Sequence, residues 1–379
     1  MKKAIFLILL SCLFQAEAQS SALTMADSLY ATGSYTKAIN FYAKVGSSRG
    51  NLQIARAYNS IGNYDKAILQ YESLMDGSPE LQIARFELGK LYLKTKRFDD
   101  GRKLFTSLVS DDANNPEYLY YQGESFRELD QSASSLVAYK KAVEVDSTHL
   151  KSIFQLGKYF VVKQETQEAL KYLNLGLLFF ENDVSLINLK ALALFNNNEY
   201  SKALPFFERL LELEEHKPHI YGKLAHCYFK EWDFEKSKNT YHALIRMDKD
   251  DPDPYFNLGH VFLKEQQLDS AKFYIKKSKE VQDPSFHREY RSLAGIAREE
   301  EDLKGAFEYY KLAFKEEPSD YMAYYQICTT ADQLFKDPNL KLQYYENFIK
   351  KFGPDIRYFS ERAKKRISEL KQELHFAKD

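Results

Sequence analysis

The stretch Leu88-Gly89-Lys90-Leu91-Tyr92 decides the fold, because a residue of the same kind stands in place of its glycine every 34 residues. Steps of 34 from Gly89 reach Gly123, Gly157, Ala191, Ala225 and Gly259, so the position holds only glycine or alanine. Twelve residues on, the same step reads Gly101, Ser135, Ala169, Ala203, Ser237 and Ala271, again all small. Four residues later stand Phe105, Tyr139, Leu173, Phe207, Tyr241 and Ile275. Such spacing marks a close crossing of two antiparallel helices, since a packed interior has no room for bulk at the crossing point. With Gly89 numbered as position 8 of its unit, the small residues fall at positions 8 and 20. Large residues at positions 4, 7, 11, 17, 24 and 27 are expected to fill the space around them.

The register extends both ways. Ala26 and Ala38 define a first unit, and Ala55 and Ala67 a second after a shorter step of 29 residues. A ninth unit has Ala294 and Ala306; in a tenth, Cys328 holds position 8 and Asp337-Pro338 delays the second helix. A 34-residue period built on L-G-x2-Y, A-x3-F and P is the signature of the tetratricopeptide repeat, which this chain resembles over residues ~22–353 in about ten repeats. The resemblance implies an all-α fold: a right-handed superhelical α-solenoid of stacked helix-turn-helix hairpins, each burying the apolar face its neighbour leaves open. Seven of the ten prolines fall between repeats, where a residue lacking a donor ends helices. Pro205 lies inside a second helix, early enough to be tolerated among amides that lack partners.

Residues 1–18 read as a secretory signal peptide. Lys2 and Lys3 precede the apolar run Ala4 to Phe14, and Ala16-Glu17-Ala18 before Gln19 gives a small-x-small cleavage site. The run falls short of the ~20 residues a spanning helix needs. Leu9-Leu10-Ser11-Cys12 also looks like a lipobox, so a lipid anchor at Cys12, on an outer-membrane lipoprotein, is the alternative. Residues 19–353 form the repeat array. Residues 354–379 follow as a C-terminal amphipathic capping helix, with Ile356, Phe359, Ala363, Ile367, Leu370 and Leu374 on one stripe.

Loss of the signal removes two lysines and one glutamate and takes the net charge from -1 to -2. A chain so near neutrality lacks the basic footprint that binding to nucleic acid phosphates requires. The two remaining cysteines, Cys227 and Cys328, lie several repeats apart, beyond the ~7 Å that a disulfide bridges. No nucleophile elbow, HExxH, Walker A loop or CxxC is present, and no cofactor is expected. The reading is therefore of a non-catalytic, exported scaffold that binds other proteins in the periplasm or cell envelope. Recognition of a short peptide or an envelope glycan is the alternative. An enzyme would need carboxylates or histidines gathered on the surface.

Function is sought on the helix stripe opposite the core. At 100° per residue, first-helix positions 2, 5, 6, 9, 12 and 13 lie together. In the family this sequence resembles, that stripe lines the concave groove that receives partners. In the third to sixth repeats it carries Phe86 and Lys90, then Tyr120, Tyr121 and Arg127, then Phe154 and Lys158, then Asn188 and Phe195. Later repeats add His219, Lys223, His226, Phe229 and Lys230, then Phe256, Asn257, His260 and Lys264, then Arg288, Arg291 and Arg298. Rings interleaved with cations suit a protein or peptide segment bearing acidic groups. Rings at positions 5 and 12 also have a plainer use, shielding one another between neighbouring first helices. Asn257 and Arg288 resemble part of a carboxylate clamp known in the family, although Gly222 and His226 stand where its other members should be. His226, His260 and His219 would be the ligands if a metal were bound. Lys171 and Lys238 fall on the outward side of second helices.

Overall fold

The computed structural model describes residues 21–75, 81–281, 286–353 and 356–376. The signal segment, Cys12 and the linker prolines Pro79 and Pro284 lie outside the described residues. Among those described, every regular element is a helix. They come in successive hairpins: α1 (residues 21–31) with α2 (Tyr35–Val45), α3 (Ser48–Ser60) with α4 (Tyr64–Ser73), and α5 (Leu81–Lys94) with α6 (Phe98–Asp111). Next come α7 (Pro116–Glu128) with α8 (Ser132–Val145), α9 (Leu150–Val162) with α10 (Thr166–Phe179), and α11 (Val184–Asn196) with α12 (Tyr200–Glu212). The last pairs are α13 (Pro218–Lys230) with α14 (Phe234–Met247), α15 (Pro252–Lys264) with α16 (Leu268–Val281), α17 (His287–Glu299) with α18 (Leu303–Glu316), and α19 (Tyr321–Leu334) with α20 (Pro338–Phe352). A single helix, α21 (Arg357–Phe376), ends the chain. The chain divides into two compact units between Leu189 and Lys190. Within each, a helix packs chiefly on the one before it and the one after it.

Local chemistry sets the helix ends. Pro116, Pro218, Pro252 and Pro338 each occupy the first turn, where the missing amide costs nothing. Asn115, Asp251 and Asp337 accept hydrogen bonds from the second residue of their helices, capping donors that have no intrahelical partner. Each hairpin turn from the first repeat to the ninth closes the same way, with a left-handed residue at position 15. Gly33 and Gly62 serve in the first two, then Lys96, Asp130, Gln164, Asn198, Trp232, Gln266 and Glu301. The amide of the next residue bonds back five positions, as in Arg97 N–H to Tyr92 O at 2.8 Å and Asp302 N–H to Ala297 O at 2.8 Å. This is a Schellman closure, which satisfies carbonyls left open at the end of the first helix. Only two of the nine turns use glycine, so the motif is nearly invisible in the sequence.

The small positions lie at the bottom of each hairpin. Ala26, Ala55, Ala191, Ala225, Ala294 and Cys328 are fully buried at position 8, as are Ala38, Ala67, Ala169, Ala203, Ser237, Ala271 and Ala306 at position 20. The glycines at position 8 meet the large residue at position 24. A Cβ on Gly89 would stand 2.6 Å from Phe105, on Gly123 2.5 Å from Tyr139, on Gly157 2.6 Å from Leu173, and on Gly259 2.7 Å from Ile275. The two helices are also tied directly where Ser237 Oγ donates to the Ala225 carbonyl at 2.9 Å.

Two expectations need correction. Position 27 is not uniformly large: Leu108, Leu210 and Leu244 are, but Ala142, Gly176, Ser278 and Ala313 are not. At Gly176 the space is taken by neighbours, since a Cβ there would lie 2.5 Å from Leu186 and 2.8 Å from Ile153. Pro205 stands at the sixth residue of α12, past the four amides that lack partners. Its tolerance comes at the loss of the hydrogen bond to Ser201, while the helix continues around it.

The terminal helix covers the tenth repeat. Ala363 and Leu370 are fully buried in a cluster with Cys328, Tyr345, Phe348 and Phe352. Arg366 bonds Asp332 from Nε at 2.6 Å and from Nη2 at 3.0 Å, fixing α21 to α19. Lys341 of α20 reaches the same carboxylate at 3.2 Å.

A leucine at Gly157 must displace Leu173 from a site held on all sides, so Gly157→Leu is expected to destabilise the chain by ~1–3 kcal/mol or more. Chemical denaturation compared with wild type measures it, and overlapping curves would disprove the crossing.

Candidate functional site

In the first unit the groove-stripe rings are largely committed to one another. Phe86 packs edge-on to Phe105 and Tyr121, at 6.1 and 5.4 Å between centroids, and lies 5.5 Å from Tyr118. Lys90 lies over Phe86 and Tyr121 at 5.4 and 5.5 Å. Tyr120 contacts Tyr121, Tyr139 and His149, and burial pushes its phenol up to about 12. Lys151, at position 2 of the same stripe though not named among its residues above, covers both Tyr120 and Tyr121 at 5.6 Å and pairs with Glu117 at 2.7 Å. Arg127 is held by Glu124 and Glu128 at 2.8 and 2.6 Å. Phe154 and Asn188 are half-buried, and Lys158 is exposed. For Phe86, Tyr120 and Tyr121 the plainer use, shielding between neighbouring first helices, is what the geometry displays.

The second unit holds two clusters of different character. In the first, His226 is ringed by Phe195 and Tyr200, each 5.4 Å away, and by Phe229 at 6.3 Å. Lys223 sits 4.1 Å over Phe195, and Lys230 lies 5.7 Å over Tyr200. Phe229 continues to Phe234 at 6.1 Å, and Trp232 to Phe234 at 5.6 Å. Phe229, Trp232 and Phe234 line an open cleft of about 180 Å³ with Lys230 and Lys264. Trp232 is 70% exposed, an unusual state for so large a ring. Among the described residues, no carboxylate forms an ion pair with Lys223, Lys230 or Lys264. His219 stands apart as an exposed residue in the first turn of α13.

The second cluster is already neutralised. Arg288 lies 4.4 Å over Phe256, but its guanidinium bonds Asp253 at 2.5 Å and the buried Glu289 at 2.7 Å. Arg291 pairs with Asp320 at 3.3 Å, where His287 also binds at 2.6 Å. Arg298 bonds Gln326 at 2.8 Å. His260 packs on Phe256 at 4.7 Å and meets Ser292 Oγ at 3.1 Å through Nε2. Asn257 is half-buried. The arginine of the suspected carboxylate clamp is thus spent on carboxylates of its own chain. Lys238 also departs from its expected outward position. It is nearly buried, its ammonium lies 2.9 Å from Glu265 of the next repeat, and Phe262 is 5.4 Å away.

Sequence periodicity missed Tyr200, Trp232 and Phe234, because they lie in or just after the hairpin turn rather than on the first helix. Trp232 carried a signal of its own as the sole tryptophan of the chain. No group of three or more His, Cys, Asp or Glu among the described residues is placed to hold a metal ion. No described helix is long and apolar enough to cross a membrane. Cys227 and Cys328 are buried free thiols, and desolvation pushes Cys227 up to about 12.

Comparison with known proteins bears on the repeat. Residues 60–122 and 194–255 match a family model described as tetratricopeptide repeat, and residues 252–283 match a second of the same description. No curated protein matches the chain. Similar solved structures include YrrB, described as a TPR protein with an unusual peptide-binding site, at 20% identity over 47% of this chain and 92% of that one, TM-score 0.44. Yeast Tom70 aligns at 12% identity over 95% of this chain and 97% of its own, TM-score 0.45. The C-terminal part of a TPR repeat-containing protein from Cytophaga hutchinsonii aligns at 19% identity over 73% and 99%, TM-score 0.46.

Burial holds His226 and His260 below the ordinary imidazole range, with Lys230 and Lys223 adding to the effect at His226 and Arg288 and Lys264 at His260. The unfolded chain then binds more protons than the native one below pH ~6.5, so stability falls as pH drops through that value. Urea unfolding at pH ~7.5 and ~5.5 should show the loss, and replacing both histidines by glutamine should flatten the slope. An unchanged slope would mean that neither ring is held neutral.

Proposed function

Because the chain is a tetratricopeptide-repeat protein, we propose that it is a non-catalytic scaffold for other proteins in the bacterial cell envelope. Its principal grip is the cluster of Phe195, Tyr200, His226, Phe229 and Trp232. The observation that carries this reading is the state of the cations. Lys223 and Lys230 lie over aromatic rings and Lys264 beside them, without carboxylate partners, whereas Arg288 and Arg291 are neutralised within the chain. Rings beside unpaired positive charge favour a partner segment that brings acidic groups, with the rings supplying buried area and the lysines orienting the encounter.

Export rests on the sequence of the first 18 residues. Intact mass of the protein recovered from the envelope should correspond to a chain beginning at Gln19. An acylated Cys12 would instead establish a lipid-anchored form, and an intact Met1 would remove export altogether.

Reversing charge at Lys223, Lys230 and Lys264 to glutamate is expected to weaken crosslinked capture of the native partner at least ~10-fold, about 1.4 kcal/mol. Thermal stability should stay close to wild type, since surface changes away from packing features usually move it by only ~0.5 kcal/mol. Capture should also weaken as salt rises. Lys171→Glu, on the outward side of α10, serves as the control. A triple variant that captures normally while the control fails would move the binding surface to the opposite face.

A further inference from the structure

Position 17, the residue that opens each second helix two places after the left-handed turn, is large in most repeats: Tyr35, Tyr64, Phe98, Tyr200, Phe234, Leu268 and Leu303. In three of these repeats its surroundings are alike. Tyr64 packs against the buried cluster that contains Tyr71, Leu88 and Leu91, Phe234 against the one with Tyr241, Leu258 and Val261, and Leu268 against the one with Ile275, Leu293 and Ile296. Each cluster thus joins position 24 of the same repeat to positions 7 and 10 of the next. In these repeats the side chain at position 17 is thus a wedge between consecutive hairpins.

In the fifth repeat Thr166 is a small substitute, and in the fourth the wedge is missing altogether. Ser132 stands at position 17, and a cleft of about 330 Å³ opens where the ring would be. Its walls include Tyr139 at position 24 and Tyr159 at position 10 of the next repeat, the places that enclose the ring elsewhere, together with Leu136 and Val162. Val162 is left 72% exposed, so apolar surface that a wedge would cover faces solvent. An apolar cavity of ~150 Å³ suffices to hold benzene, so a phenyl or phenol group fits. Lys158 and Lys163 stand on the rim, and among the described residues neither forms an ion pair with a carboxylate. The third rim cation, Arg127, is occupied by Glu124 and Glu128.

We infer that this cleft is a second partner site, which takes an aromatic side chain of an extended partner segment with acidic residues flanking the ring. The repeat itself specifies the occupant: what stands at this place in seven other hairpins is a ring or a leucine, and here the chain supplies neither. The two unpaired lysines specify the flanks, because an acidic neighbour on either side of the ring meets positive charge without displacing an existing ion pair. The site lies wholly within the first unit and does not depend on Lys223, Lys230 or Lys264.

The test uses the mature full-length chain and a fluorescently labelled, end-blocked peptide Glu-Asp-Phe-Asp-Glu, followed by anisotropy. Saturable binding is expected, weakened at least ~10-fold when the peptide's Phe is replaced by Ala. Ser132→Phe restores the missing wedge, so it should abolish binding while keeping or raising the melting temperature. Lys158→Glu with Lys163→Glu should reduce binding at least ~10-fold without touching the cleft walls. The Lys223, Lys230 and Lys264 triple variant should bind this peptide as wild type does, which separates the two sites. The inference is overturned by absence of saturation up to ~5 mM peptide, by equal affinity for the Ala peptide, or by full binding to Ser132→Phe. A concentration-dependent dimer that Ser132→Phe abolishes would assign the cleft to a second copy of the chain, also overturning the peptide.

Discussion

Each hairpin depends on one contact, the large side chain at position 24 lying against a nearly bare backbone at position 8. Phe105 on Gly89, Tyr139 on Gly123, Leu173 on Gly157 and Ile275 on Gly259 leave less than a normal carbon contact for any added methyl. Glycine inside a helix costs about 1 kcal/mol relative to alanine. Forcing an extra group into a filled crossing costs ~1–3 kcal/mol, so glycine remains the better residue at these four sites. In the repeats with Tyr42, Tyr71, Phe207 and Tyr241 at position 24, alanine at position 8 is accommodated and buried completely.

That contact also explains what was legible in the sequence. A steric demand repeated at a fixed interval leaves the same mark each time, so the order of hairpins, their crossing points and the terminal helix could all be read from Gly89 outward. Interactions that each repeat solves differently leave no such mark. Nothing in the spacing of Arg288 reveals that Asp253 and Glu289 hold it, and nothing around Arg291 points to Asp320, because these pairs join residues of different repeats or of no fixed register. The turn was hidden for a related reason. Its backbone conformation recurs with the period, but residues as unlike as Lys96, Asn198 and Trp232 adopt it.

The candidate surface was therefore half visible. Periodicity found Phe195, His226, Phe229 and the lysines beside them, since these sit on the first-helix stripe. It overlooked the edge of that cluster at Tyr200, Trp232 and Phe234, and it credited Arg288 and Arg291 of α17 with a freedom they do not have. Counting charges along a stripe measures how many cations are present; only the folded chain tells which of them are already compensated.

Cys328 sits at the floor of the last hairpin with no exposed surface, and Ala363 and Leu370 of α21 close over the same cluster. A buried thiol is unreactive until the structure around it opens. In a stack stabilised mainly between neighbours, the end is the place where opening takes least free energy. The sulfur is thus a clock wired to the last helix: its alkylation rate reports how often α21 lifts away, while Cys227, in α13, keeps slower time for the interior of the same unit.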